Sequence, residues 1–376
     1  HTDGSGLTLN STNKIMFNDA SQFIQGSSAT VLALGATDEI DLTATAIDVN
    51  GTIDVSGNAT FGGTLDVDGT STFDGITNAG NFETDGGSIK LDGNYPTGTD
   101  NVALGNDALS DGSLSGAGNI AIGDSAAKAL TSGSNAIAIG RDAMSAAVFT
   151  GSDAVGVGRS TLAALTSGSN NVAVGALAGT SLTEGLQNTL VGTQAGDALT
   201  DADFNVAIGQ SSLTADTLGS RSTAVGYNTL GSQNFTTATN SNNVAVGYDA
   251  GKSITTGIQN TIVGARAGDA ITDADYNVAL GFNALGTNTV GSRSVAVGFQ
   301  ALLTQNPATA TDMLNVAVGH NAGRDVTTGI ENTLIGSLAG DALTDADYNV
   351  AVGKSALSSD VLGSRAVAIG QSALAA

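Results

Sequence analysis

The chain has 376 residues, with 35 Asp and Glu against 12 Lys and Arg, and a formal net charge of −23 at pH 7. Such an acid surplus argues against nucleic acid and anionic membrane surfaces as partners, because both bind Lys and Arg. The chain has no Cys, so it cannot form a disulfide framework. Its aromatic content of 4% is too low for a conventional globular core of this size. No apolar run is long enough to predict a membrane span.

Residues 1–45 alternate short apolar stretches with turns rich in Gly, Asn and Ser, which predicts an N-terminal β module with strands at 6–9, 14–17, 30–34 and 39–44. Residues 46–92 alternate more strictly, as in Ile53-Asp54-Val55 and Leu65-Asp66-Val67. Strands this short have exposed edges on a single chain. Winding three chains together would cover those edges, so we expect a trimeric β-shaft here. Residues 93–100, which include Pro96, are predicted to be a linker.

From Asn101 a five-residue unit of the type Asn243-Val244-Ala245-Val246-Gly247 recurs sixteen times, ending at Gly370. Eleven of the fifteen intervals between the closing glycines are seventeen positions long, two are eighteen and two are twenty-one. Alternation with period two predicts a strand, and a nearly fixed period predicts that equivalent strands stack. We therefore expect an all-β fold, a parallel β-solenoid of about sixteen coils, or rungs, over residues 101–376.

In this solenoid the Val and Ile columns are expected to form the continuous core. The apolar stretch after the glycine, such as Ala284-Leu285, is predicted to be a second strand that turns the coil. The glycine suits a corner with positive φ, and the Asn before the strand can bond its own turn or stack in a column. At about 4.8 Å per rung, sixteen rungs give a rod of roughly 77 Å.

A longer, 72-residue period begins at Asn171 and repeats at Asn243 and Asn315. It contains Asp-Ala-Asp-Phe/Tyr-Asn at 201–205, 273–277 and 345–349, and Gly-Ser-Arg at 219–221, 291–293 and 363–365. The 21-residue rungs carry the longer loops 231–242 and 303–314. Loops of this kind lie on one face of a solenoid, often the binding face, although a spacer role is the simpler interpretation. The candidate binding residues in them are Thr237, Thr239, Thr309 and Thr311.

Three aspartates fall within seven positions in each 72-residue unit, a carboxylate density that suits Ca²⁺. Their spacing is neither that of an EF-hand nor that of the Gly-Gly-x-Gly-x-Asp repeat, so solvated acidic turns are the stronger interpretation. No other cofactor is predicted. The candidate metal ligands are Asp197, Asp201 and Asp203; Asp269, Asp273 and Asp275; and Asp341, Asp345 and Asp347.

Stacking would also align residues outside the strands. The residue before each strand gives a column in which an aromatic ring precedes an Arg, as Tyr276 precedes Arg293, and this predicts cation–π pairs with a structural role. A second column, directly after the glycines, holds rings that can bind sugar or protein, or pack at corners and between chains. Packing is the preferred interpretation. The second column contains Tyr227, Tyr248, Phe282, Phe299 and His320.

The Asn-Val-Ala-Val-Gly unit followed by x-x-Ala resembles the head repeat of YadA-like trimeric autotransporter adhesins, whose usual repeat is shorter than the one in this chain. The 17-residue variant, as in Asn260-Thr261-Ile262-Val263-Gly264, resembles arrays in phage tail-fibre-like proteins. The N-terminal sequence, for example at residues 14–19 and 63–69, is similar to that of marine phage structural proteins. The resemblance implies a homotrimer, a left-handed β-roll and a role in surface attachment.

The chain is thus predicted to be a structural and adhesive fibre, in a viral tail or surface fibre that reaches a host receptor or glycan and joins other virion proteins. No autotransporter membrane-barrel anchor is visible, which favours the virion over an extracellular or bacterial-surface location. A bacterial trimeric adhesin or an extracellular filament subunit is the alternative. With only His1 and His320, no nucleophile–His–acid set is readable, so no enzyme is predicted. A polysaccharide-degrading β-helix is the enzymatic alternative, but it needs a single carboxylate pair in a cleft.

Overall fold

The computed structural model describes residues 15–17, 19–28, 31–35, 40, 49, 52–56, 59, 99–111, 113–145 and 148–375. These residues form strands and turns without a helix, so none of them forms a helix long and apolar enough to cross a membrane. The chain divides into two compact units, His1–Glu83 and Thr84–Ala376. The predicted linker at 93–100 lies largely outside the described residues.

The N-terminal unit contains a three-stranded antiparallel sheet of β1 (Ile15–Phe17), β2 (Asp19–Ser28) and β3 (Val31–Gly35). Strands β1 and β3 match predicted strands. The ten-residue β2 was missed, because its polar residues look like a turn. Residues 52–56 form no strand, so the strand expected at Ile53–Val55 is not seen. The rest of the predicted shaft, and the strands expected at 6–9 and 39–44, lie almost wholly outside the described residues.

The C-terminal unit is a parallel β-solenoid, as predicted, in which a three-residue strand from each rung joins one sixteen-stranded sheet. Each strand pairs with its copy in the next rung, without a register shift, as in Ala245↔Ile262 and Ala279↔Ala296. The strands are β4 (Val102–Leu104), β5 (Ile120–Ile122), β6 (Ile137–Ile139), β7 (Val155–Val157), β8 (Val172–Val174), β9 (Thr189–Val191), β10 (Val206–Ile208), β12 (Thr223–Val225), β14 (Val244–Val246), β15 (Thr261–Val263), β16 (Val278–Leu280), β18 (Val295–Val297), β20 (Val316–Val318), β21 (Thr333–Ile335), β22 (Val350–Val352) and β23 (Val367–Ile369).

Each 21-residue rung adds a small two-stranded parallel sheet at its longer loop. In the first, β11 (Gly219–Ser220) pairs with β13 (Thr239–Asn240). In the second, β17 (Gly291–Ser292) pairs with β19 (Thr311–Asp312). The loops are therefore held against the rung before them.

The core lies on the opposite side of the sheet from the one predicted. In every strand of this sheet except β4 the middle residue, usually Ala, is buried, as Ala245 is at 0% exposure. The flanking Val and Ile side chains point outward and are half-buried or exposed. The core consists of those Ala residues, a second Ala after the corner, such as Ala250, and a Leu or Ile such as Leu230 or Ile254. Because each coil is short, the interior that it encloses is narrow, and small residues must line the sheet side.

The stretch predicted as a second strand is a series of turns. After the corner Gly247, Ala250 donates its N–H to the Gly247 carbonyl at 3.4 Å, which closes a tight turn. The residue two positions after the corner glycine has positive φ in every rung, as for Asp249 at 54°. Backbone in this conformation cannot extend as a strand. The positive φ expected of the corner glycines is confirmed, with Gly247 at 139°.

A column of buried Asn side chains runs along the core side of the sheet, which is the second of the two arrangements that the sequence left open. The Asn243 Oδ1 accepts the N–H of Asn260 in the next rung at 2.9 Å, and its Nδ2 donates to the carbonyl of Gly257 at 2.7 Å. Where Ser222 replaces Asn, Gln233 of the same rung fills the gap and accepts from the Asn243 Nδ2 at 2.9 Å. The column satisfies polar backbone groups that the narrow core leaves without water.

Candidate functional site: the outward face of the sheet

The outward face of the sheet is an aliphatic strip two side chains wide, made of the first and third residues of each strand. These residues are Val, Ile or Leu except for Thr189, Thr223, Thr261 and Thr333. Several are more than a third exposed, such as Val174 at 37% and Leu280 at 44%. Fifteen intervals of about 4.8 Å and two columns that are each about 7 Å wide give roughly 1,000 Å². Monomeric proteins rarely expose apolar patches larger than about 300–600 Å², so this strip suits burial against a partner.

Two exposed columns border the strip. The leading column is formed by the residue before the buried first position of each rung, and it includes Phe204, Arg221, Tyr276, Arg293, Tyr348 and Arg365. The trailing column is formed by the residue after each corner glycine, and it includes Tyr227, Tyr248, Phe282, Phe299 and His320. With the strip between them, these columns give one face four side chains wide. Sequence reasoning found both columns but not that they border an outward apolar strip.

In the leading column the predicted cation–π pairs are present in all three 72-residue units. The Arg293 guanidinium carbon lies 4.8 Å from the Tyr276 ring centroid. The other two pairs have distances of 5.7 Å for Arg221 over Phe204 and 5.3 Å for Arg365 over Tyr348. Arg293 also makes an ion pair with Asp312 of the longer loop at 2.9 Å. The guanidinium is therefore held with one face on a ring.

In the trailing column the rings stack on one another along the solenoid axis. Tyr227 and Tyr248 have centroids 5.4 Å apart and planes at 11°. Phe282, Phe299 and His320 form a second stack with centroid distances of 5.6 and 5.1 Å. Stacked rings cover each other's faces, so the column mainly presents ring edges to the surroundings. That arrangement suits packing between chains better than it suits sugars, which stack on ring faces.

The aspartate clusters are spread around the turns. Among the described residues, no three His, Asp or Glu side chains are placed to hold a metal ion. Asp203, Asp275 and Asp347 each accept a backbone N–H of the preceding rung, as Asp275 does from Ile258 at 2.8 Å. Asp201, Asp273 and Asp345 are exposed. Calcium binding stays a prediction that this geometry does not favour.

The third member of each cluster lies in a separate, partly buried column. Asp197 accepts from the Thr214 hydroxyl at 2.6 Å. Burial raises the pKa of Asp269 and Asp341, against the opposing charges of Arg266 and Arg324 respectively. One oxygen of Asp341 is buried without a hydrogen-bond partner in the described part of the chain. These aspartates are packed along the coil, away from the other two of their cluster.

The candidate threonines lie on the two longer loops. Thr239 donates its hydroxyl to the Thr237 carbonyl at 3.0 Å, and Thr311 donates to the Thr309 carbonyl at 2.8 Å. Thr237 and Thr309 are exposed, so their side chains are open to a partner. The contact of Arg293 with Asp312 places the second loop beside the leading column.

Searches against protein-family models, curated proteins and solved structures give no match to this chain.

Proposed function

We propose that this chain is a structural and adhesive fibre protein that works as a homotrimer in a viral tail or surface fibre and contacts a host surface. The observation that carries the proposal is the outward aliphatic strip on a sheet sixteen strands long. An exposed strip of this size favours a partner that covers all of it. A second and third copy of the same chain offer the same length and the same spacing.

The rest of the molecule fits a role based on shape. Every rung is bonded to the next through its strand and its turns, and most rungs also through the Asn column, so bending requires many hydrogen bonds to break together. A rod of this kind supplies reach and rigidity. Three copies of each loop on one rod would also multiply weak contacts with a host surface through effective concentration.

The loops with Thr237, Thr239, Thr309 and Thr311 are the proposed host-contact surface. They are held by short sheets and by the buried side chains of Phe235 and Met313, yet they carry exposed hydroxyls. Ordered hydroxyls of this kind suit hydrogen bonding to a glycan or a polar receptor at little cost in conformational entropy.

The mass of the native assembly tests the structural half of the proposal. Sedimentation equilibrium is expected to give three times the chain mass of 36.8 kDa. A monomer at micromolar concentration would contradict the proposal.

Saturable binding of the labelled protein to host cells tests the adhesive half. Thr237→Ala with Thr309→Ala should weaken that binding without changing the mass, whereas Asp201→Ala, on an exposed turn, serves as the matched control.

A further inference from the structure

The two columns that border the strip carry complementary side chains at the ends of four of the sixteen strands, although the columns do not touch within one chain. The leading and trailing residues of a strand are six positions apart, such as Asp153 and Arg159 on either side of β7. An extended segment of that length spans up to about 20 Å. Contacts inside the chain therefore do not explain the matching.

The matching concerns charge first. One of the sixteen strands has a charged residue at both ends, and its two residues, Asp153 and Arg159, are opposite in charge. Both side chains are exposed, and neither makes an ion pair within the described part of the chain. Asp153 and Arg159 lie at equal height in the two columns, so they are complementary in a setting in which the columns of neighbouring copies meet.

Cations and rings are matched as well. Three strands have a cation at one end and an aromatic ring at the other: Arg221 with Tyr227, Arg293 with Phe299, and Lys354 with Tyr348. In the same chain Arg293 covers the Tyr276 ring with one face. Because Phe299 is stacked between Phe282 and His320, only its edge is open to a neighbouring copy, so an Arg there would pack its aliphatic stem against the ring rather than stack its guanidinium.

We infer that copies of this chain associate side by side, parallel and in register, with the leading column of one copy against the trailing column of the next. This inference rests on the proposed homotrimer and identifies its contacts. A rotation axis along the solenoid places equal strands at equal height in every copy. When the aliphatic strips face that axis, the two columns meet at each boundary between copies. Asp153 then pairs with Arg159 of the neighbouring copy.

Cysteine cross-linking tests this contact directly, because the chain has no Cys. Asp153→Cys combined with Arg159→Cys should oxidise to a covalent closed ring of chains that reductant opens. Within one chain the two positions are too far apart for a disulfide, which needs Cα atoms within about 7 Å. The matched control, Asp153→Cys with Gln210→Cys, lies three rungs out of register, about 14 Å, and should not cross-link.

Charge reversal gives a second test. Asp153→Arg or Arg159→Asp alone should weaken association, whereas the double exchange should restore it. The fold accepts both changes, since Arg221 already occupies the leading column with φ of 63° and Asp124 the trailing column. Asp201→Arg controls for the change in net charge. A native trimer by mass without cross-linking or rescue would overturn this contact and leave the proposed function standing. A monomer would overturn both.

Discussion

The corner glycines show how closely neighbouring rungs approach. At Gly247 φ is 139°, and an added Cβ would lie 2.6 Å from the Gly264 carbonyl oxygen of the next rung. Gly370 has a similar φ of 122° but nothing within 4 Å of such a Cβ. Comparing substitutions at Gly247 and Gly370 therefore separates the strain of the backbone conformation from the free-energy cost of the contact with the next rung.

We expect Gly370→Ala to cost about 1–3 kcal/mol through the backbone conformation alone. Gly247→Ala should cost more, because the carbonyl must move and weaken the pairing of two strands. Amide hydrogen exchange in the strands beside each site measures the difference. Equal losses at both sites would show that contact between corners contributes nothing.

The first long loop, unlike the second, packs against a buried carboxylate of the rung before it. Asp216 is 0% exposed and accepts from the Gln233 side chain and from the N–H groups of Gly219 and Phe235. Burial raises the pKa of Asp216, and these hydrogen bonds offset that only in part. Asn288, the equivalent residue one unit later, is uncharged.

A raised carboxyl pKa in the fold means that folding favours the protonated form. The associated stability is therefore present below the ordinary Asp pKa and is lost as pH rises through the raised value. Asp216→Asn should gain melting temperature relative to the parent as pH increases from about 3.5 to 7. Asn288→Asp should show the reverse trend. A pH-independent difference for either variant would contradict the assigned pKa shift.

At the scale of the rung, small and large core residues exchange places. In seven of the sixteen rungs the strand contributes Ala and the turn contributes a Leu with positive φ, such as Leu230 at 50°. Where the strand contributes Ile262, the turn position is Gly268, and a Cβ there would lie 3.0 Å from the Ile262 Cδ1. Gly251 of the preceding rung also faces Ile262, with an added Cβ 3.2 Å from the Ile262 Cδ1, so a large strand residue is accommodated by Gly at two neighbouring turns.

This exchange predicts a strong coupling. Ile262→Ala alone should cost about 2–5 kcal/mol by leaving a cavity, and Gly268→Leu alone about 1–3 kcal/mol by overpacking. The double variant resembles the fourth rung, which combines Gly156 with Leu162 and Leu165, so it should lose less than the sum. Denaturant unfolding of the four proteins gives the coupling free energy, and additive losses would refute the exchange.

The period and the closing glycine were sufficient to place all sixteen strands and the two columns, because stacking follows from spacing alone. Alternation along Val244–Val246 defines two faces but does not say which is inside. That choice depends on the width of the coil, which leaves room for Ala245 and excludes two large columns. The bonds of Asp216 to Gln233 and Phe235 in the next rung were also invisible, since a polar residue in a turn looks the same whether it is buried or not.

For the whole solenoid, stability depends on contacts between neighbouring rungs, so complete units should be removable. Deleting residues 243–314 takes out four rungs and joins Asn242 to Asn315, a junction equivalent to Leu314–Asn315. The sheet would fall from sixteen to twelve strands. The rod would shorten by about 19 Å, which electron microscopy can measure.

The shortened protein should keep its β circular dichroism and its assembly state, because every remaining strand retains its partner. A deletion of residues 243–322 is the matched control. It extends further toward the C-terminus and removes the strand β20 together with its corner, Gly319. Residues 323–331 then remain in front of β21 as part of a coil that has lost its own strand. The sheet is therefore interrupted at this coil. Loss of folding in the 72-residue deletion, or normal folding in the longer one, would show that the rung is not the unit of stability.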